Sequence, residues 1–185
     1  MPKETVRRQL QMAALKLFLE RGYDNTTATD IAGHVGVTER TFFRYFPSKR
    51  DVLFDEAALL DGLNAAIAGA PEELAPMEVL GRAFRSLIPM FEDNRPLSEP
   101  ARKLIACTPA LQERHLAKTA ATTAAVSAAL QQRGVSGDIA TLAAAAGMAI
   151  FGIALANWFA DPSLSLGDHL DRAYDSWRRL SPSGV

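Results

Sequence analysis

Residues 27–49 read Thr27-Ala28-Thr29-Asp30-Ile31-Ala32-Gly33-His34-Val35-Gly36-Val37-Thr38-Glu39-Arg40-Thr41-Phe42-Phe43-Arg44-Tyr45-Phe46-Pro47-Ser48-Lys49. The spacing predicts two short helices joined by a glycine turn. Thr27 suits the N-cap of the first, and Asp30 three residues later completes a capping box. Ile31, Ala32 and Val35 form the apolar face of that helix, Gly36 supplies the tight turn, and Val37 packs beneath it. Thr38 caps the second helix. Phe42 and Phe46, four residues apart, turn inward, which leaves Glu39, Arg40, Thr41 and Arg44 on the outer face. A short second helix with a polar outer face after such a turn is a helix-turn-helix, whose second helix fits the DNA major groove. Arg and Thr can read base edges there or grip phosphates. Pro47 ends the helix, and Ser48 with Asp51 is expected to cap the next one, with Lys49 at its start.

Outward from this stretch, Leu10, Ala14, Leu17 and Phe18 mark one face of a helix over about 3–21, stopped by Gly22. The residues Arg21-Gly22-Tyr23, then Thr26-Thr27-x-x-x-Ile31-Ala32, then Gly36-Val37-Thr38, then Thr41 to Lys49 follow the pattern of the TetR family of bacterial transcriptional regulators. The chain resembles that family over residues 7–53. The resemblance implies an all-α protein of about nine helices: a three-helix DNA-binding domain (1–48) followed by a helical domain for ligand binding and dimerisation (49–185). It also implies that Thr27, Thr41, Tyr45 and Lys49 contact phosphates or bases. With Thr38, Glu39, Arg40, Phe43 and Arg44 they make up the candidate DNA-binding set. Phe43 departs from the pattern, because many members carry Tyr there. Lacking a hydroxyl for phosphate, Phe43 is left with contact to a thymine methyl.

The charge distribution points the same way. Residues 1–50 hold nine Lys or Arg against five acids, a net +4, while the remainder carries −5. A basic head on an acidic body suits a polyanionic partner at one end. The single cysteine, Cys107, excludes an intrachain disulfide and suits a reducing compartment. It reads as a small core residue, with a redox role as the alternative. The first residues lack the apolar core of a signal peptide, so the expected location is the cytoplasm. Ile139 to Ala160 carries no charge over 22 residues, long enough to cross a bilayer. Nine of these residues are alanine and both flanks are acidic, so the expectation is a buried helix, not a membrane span.

Helical periodicity continues through the body. A helix over 49–68 links head to body and is the expected lever between them. One over 77–92 is broken by Pro89, a turn is expected at 94–96, and a short helix at 99–107. Thr108-Pro109 is a start signal for a helix to about 133. The apolar segment and a last helix ending near 180 follow.

No catalytic fingerprint is present: His34, His115 and His169 are scattered, and no nucleophile elbow, P-loop or dinucleotide motif occurs. Asp168, His169 and Asp171 invite a metal, but an acid in the first turn of a helix and a solvated face explain them. No enzyme activity, metal or cofactor is expected. Phe84, Met90, Phe91, Met148 and Phe151 admit two readings, core or the lining of a cavity between the helices at 77–92, 109–133 and 139–160. Arg102 or His115 could anchor a ligand there, or lie on a solvated face. The expected protein is a homodimeric repressor of near-palindromic operator DNA, released by a small lipophilic effector. The opposing class is a helical ligand-binding protein or enzyme with an incidental helix-turn-helix.

Overall fold

The computed structural model describes residues 3–54 and 56–180. Its elements are α1 (Lys3–Arg21), α2 (Ala28–Val35), α3 (Glu39–Tyr45), a 3-10 turn (Lys49–Asp51), α4 (Glu56–Ala68), α5 (Pro76–Ser86), α6 (Ile88–Asp93), α7 (Arg95–Cys107), α8 (Pro109–Gln132), α9 (Gly137–Ala160) and α10 (Leu166–Leu180). The fold is all-α, with no strand among the described residues. Two compact units form. One takes residues up to 56 together with 94–118, the other takes 57–93 and 119 onward. The first unit therefore includes α7 and the start of α8, which lie beyond the expected boundary at 48/49.

In the first unit, α1, α2 and α3 close around Leu10, Ala14, Leu17, Phe18, Ile31, Ala32, Phe42 and Phe46, all buried. Ala101, Leu104 and Leu111 join this core from α7 and α8. The capping box forms as expected: the Thr27 N–H donates to Asp30 Oδ2 at 2.8 Å, and the Asp30 N–H donates to Thr27 Oγ1 at 3.1 Å. Gly36 sits at φ +76°, in the left-handed region, and the Val37 N–H closes on the Ala32 carbonyl at 3.0 Å. Thr38 Oγ1 caps α3 by accepting the Thr41 N–H.

In the second unit, α9 packs on α10 and α5. Its core includes Leu80, Phe84, Phe151, Trp158, Leu166 and Leu170. A Cβ on Gly147 would lie 2.6 Å from Leu80 Cδ1, so any larger residue there requires the Leu80 side chain to shift. Tyr174 donates to the Met77 carbonyl, and burial pushes its phenol up to about 12.

Several boundaries differ from the sequence reading. The expected helix over 49–68 is a 3-10 turn, a non-helical stretch at 52–54, and then α4. Ser48 does not cap it: the hydroxyl donates to the Asp51 carboxylate at 2.6 Å instead of accepting a backbone N–H. The segment 77–92 divides at Leu87 into α5 and α6, so that the described residues form ten α-helices, in line with the expected nine or so. The turn expected at 94–96 is the start of α7, because Pro96 falls in the first turn of a helix, where no N–H is needed. Cys107 is exposed, not a core residue, and its thiol donates to the Leu104 carbonyl.

Candidate nucleic-acid interface

The inner face of α3 is fixed by Phe42 and Phe46, whose rings pack 5.5 Å apart between centroids. That anchoring turns Glu39, Arg40, Phe43 and Arg44 to solvent. Thr38, Arg40, Thr41, Phe43 and Arg44 line one shallow depression on this surface. The Thr38 and Thr41 hydroxyls are 3.0 Å apart. The Arg44 guanidinium lies over the Tyr45 ring at 5.2 Å, which holds the charge at the end of the helix. Phe43 is 47% exposed and meets Phe42 edge-on. Phe43 thus packs one edge on the core and leaves the rest of its ring on the outer face.

The remaining members of the expected set are more committed to the protein. Thr27 is exposed, but its hydroxyl donates to Asp30 Oδ2 at 2.6 Å within the capping box. Tyr45 is half-buried, and its carbonyl accepts from Arg7, whose guanidinium lies over the Phe46 ring. Lys49 donates to the Tyr23 carbonyl at 2.8 Å and sits 4.0 Å above the Tyr23 ring. Burial lowers its pKa, against the opposing pull of Asp24. Sequence reasoning missed the supporting roles of Arg7 and Tyr23: Tyr23 stood out only as part of the Arg21-Gly22-Tyr23 pattern, and both contacts join residues far apart in the chain.

The expected effector residues divide between the two units. Phe84, Met90, Phe91, Met148 and Phe151 belong to the second, Arg102 and His115 to the first. Phe84 and Phe151 stack with centroids 4.6 Å apart, and Phe91 meets Phe151 edge-on at 5.2 Å. Phe84 is fully buried, while Met90, Phe91 and Met148 are half-buried. His115 stacks on Phe54. Desolvation there, and then the Arg102 charge, lower its pKa.

Asp168 forms a capping box with Ser165, His169 donates from Nε2 to the Asp161 carbonyl, and Asp171 pairs with Arg85. Among the described residues no group of three or more His, Cys, Asp or Glu is arranged to hold a metal ion.

One side of α9 stays open. Ile139, Leu142 and Ile153 are exposed, with Ala145, Ala149 and Gly152 between them at helical spacing. The opposite side (Ala140, Ala143, Ala144, Gly147, Ile150, Phe151, Ala154, Trp158) is buried.

A capped helix-turn-helix with an arginine-bearing outer face, ahead of a helical body, defines a helix-turn-helix transcriptional regulator. The family model for bacterial regulatory proteins of the tetR family matches residues 12–55, and the model for the MftR C-terminal domain matches 74–182, more than half of the chain. The chain belongs to the tetR family. It is 33% identical over 120 residues to the HTH-type transcriptional regulator TcmR of Streptomyces glaucescens, an alignment covering 61% of this chain and 53% of that one. It is 24% identical over 178 residues to MftR of Mycobacterium tuberculosis, named for regulation of mycofactocin biosynthesis, covering 94% and 89%. Among solved structures it is similar to the Thermus thermophilus repressor FadR in complex with lauroyl-CoA, at 25% identity, TM-score 0.56, and 97% and 95% coverage.

Proposed function

We propose that this chain is a cytoplasmic, homodimeric repressor that binds near-palindromic operator DNA and is released by a small lipophilic effector. The observation that carries the DNA half is the outer face of α3, where Arg40, Phe43 and Arg44 are exposed and half-buried Thr41 lies beside them, opposite the buried Phe42 and Phe46. Reading DNA is assigned to residues 1–48, with Thr27, Thr38, Glu39, Tyr45 and Lys49 flanking that face. Effector binding and dimerisation are assigned to residues 49–185. One module makes too few base contacts for specificity, and two heads roughly 34–36 Å apart enter successive major grooves. The exposed apolar row of α9 supports a dimer seam there, and the same row makes a membrane span unnecessary.

For the effector, the aromatic group Phe84, Phe91 and Phe151 with Met90 and Met148 offers an apolar, polarisable lining. The Phe84–Phe151 stack admits a ligand that displaces a ring, and Phe91 and Met90 beside it are half-buried. The acyl ligand in the FadR complex is a precedent for a lipophilic effector.

The test is a fluorescence-anisotropy titration of selected operator DNA at several salt concentrations, repeated with a panel of lipophilic compounds. Binding that weakens steeply with salt and is lost in Arg40→Ala or Arg44→Ala supports the reading. Absence of DNA binding at low salt by a folded chain would return the protein to the ligand-binding or enzyme class.

A further inference from the structure

On α1, Arg8, Met12 and Lys16 follow one another at intervals of four residues, and Leu15 and Leu19 lie beside them at three and seven from Met12. Leu15 is buried, but Met12 and Leu19 are each 57% exposed. Next to this stripe α7 begins, and its first turn supplies exposed Pro96 and half-buried Leu97. These seven side chains line one groove of about 330 Å³, which lies wholly within the first unit. Its lining is mostly apolar, both of its charges are positive, and among the described residues no acid lines it. The Arg8 guanidinium donates to Asn94 Oδ1 at 2.9 Å, which takes one of its five N–H donors and sets the charge at one end of the groove. Lys16 follows eight residues later, about 12 Å further along the helix axis.

An apolar trough with cations on its rim is complementary to a molecule that is oily along its length and negative at one end. A second copy of the chain docking face to face would set Arg8 and Lys16 against their own counterparts, and like charges repel. A stable protein interface takes about 20–30 residues a side, whereas seven line this groove. Its volume instead falls at the small end of the range for organic ligands, roughly 300–1,000 Å³. We propose that the α1–α7 groove binds a single-chain amphiphilic anion, a carboxylate bearing a hydrocarbon tail. The carboxylate sits on the Arg8 guanidinium, whose planar fork matches its two oxygens. The tail runs over Met12 and Leu15 toward Leu19, with Pro96 and Leu97 as the far wall. Lys16 lays its methylenes along the tail and keeps its ammonium in water, adding to the positive field. This site is separate from the aromatic group of the second unit, and it stands whether or not the chain reads operator DNA.

Methionine methyl groups report on both units in one sample, Met12 in the groove and Met90 and Met148 in the second unit. Full-length chain with isotope-labelled methionine methyls is titrated by NMR with decanoate, below the concentration at which it forms micelles. Met12→Leu identifies the Met12 signal. That signal is expected to shift saturably. Each methylene gained from hexanoate to decanoate should tighten binding about twofold, against about fourfold for full burial, because five of the seven lining side chains are exposed. Arg8→Gln and Lys16→Gln, both at exposed positions, should each weaken binding roughly fivefold and leave the melting temperature in place. Decyltrimethylammonium, with the same tail and the opposite charge, should leave Met12 unmoved. A Met12 signal that stays fixed while Met90 and Met148 move places the binding in the second unit and overturns the proposal. An equal response to the cationic amphiphile overturns it as well. So does a Met12 shift on raising the protein concentration alone, which marks contact between copies, or a response to an acidic amphipathic peptide without one to decanoate.

Discussion

Two glycines three residues apart in the helix-turn-helix should respond to the same substitution with opposite sign. Gly36 lies at φ +76°, and a Cβ built on it meets nothing within 4 Å. Its replacement by alanine therefore has no clash to relieve, and the whole cost is that of holding an L-residue in the left-handed region, about 1–2 kcal/mol. Gly33 lies inside α2, and a Cβ there also meets nothing within 4 Å. Alanine gains at that position what glycine loses in a helix, about 0.5–1 kcal/mol. The two variants should differ by about 2 kcal/mol in all. At about 2–4 °C per kcal/mol for a chain of this size, Gly36→Ala should melt several degrees below the parent and Gly33→Ala slightly above it. Asparagine tolerates the left-handed region, so Gly36→Asn should recover part of the loss. Urea unfolding with an unchanged m-value checks that stability alone has moved. A Gly36→Ala protein as stable as the parent, or shifts of equal sign at both positions, would refute the turn geometry.

Arg44→Ala should weaken operator binding and lower the slope of log affinity against log salt by about 0.9, the loss of one phosphate contact, measured by anisotropy. Lys49→Ala should lower that slope only if the ammonium leaves Tyr23 for phosphate in the complex; an unchanged slope with reduced stability would assign it to holding the loop at Tyr23. Phe151→Ala, which removes the ring stacked on Phe84, should cost about 3–5 kcal/mol in urea unfolding, and a loss below 1 kcal/mol would reveal slack around that ring. Leu142→Glu should convert the dimer to monomer in sedimentation while preserving helicity; a dimer that survives it places the seam elsewhere. The Asp51 carboxyl is held below its ordinary value, so its stabilising contribution is complete above about pH 4, the unfolded range. That contribution should fall away as the pH drops through the lower folded value, and Asp51→Asn should flatten the acid limb of a melting-temperature profile. An unchanged limb would remove the Asp51–Arg114 pair from the stability of the head.

What was legible in the sequence was what depends on neighbours within a helical turn. The Thr27–Asp30 box, the Gly36 turn and the Phe42–Phe46 pair are contacts at three or four residues' separation, and each is present as the spacing dictates. The outward direction of Arg40 and Arg44 follows from the inward direction of the two phenylalanines. Lys49 was legible as a basic residue at the right place but not as a partner of Tyr23, 26 positions earlier. Asp51 was legible as the partner of Ser48 but not of Arg114, 63 positions later. The proline-rich start of α7 misled because proline breaks a helix only where its N–H is needed. Pro96 falls in the first turn, and Pro100 forfeits one bond that the apolar face through Ala101 and Leu104 outweighs.

The apolar character of α9 has two separate causes, one on each side of the helix. Toward the rest of its own unit the first half of the helix is built from small residues: Gly147 admits Leu80, and Ala140 and Ala144 are fully buried, while Ile150, Phe151 and Trp158 fill the space further along. Small residues there set the distance between helices, so they belong to the chain's own fold. Toward solvent it carries bulk, with Leu142 71% exposed and Ile139 and Ile153 each 55% exposed. More than half of each of these large side chains is left uncovered by the fold of a single chain. Covering a leucine or isoleucine is worth about 1.5–3 kcal/mol, so three of them leave a water-facing stripe that association can satisfy. The alanine-glycine run therefore argues for tight internal packing, and the argument for a partner subunit rests on Ile139, Leu142 and Ile153. Gly147→Ala should accordingly act on unfolding and leave the oligomer intact, the reverse of Leu142→Glu.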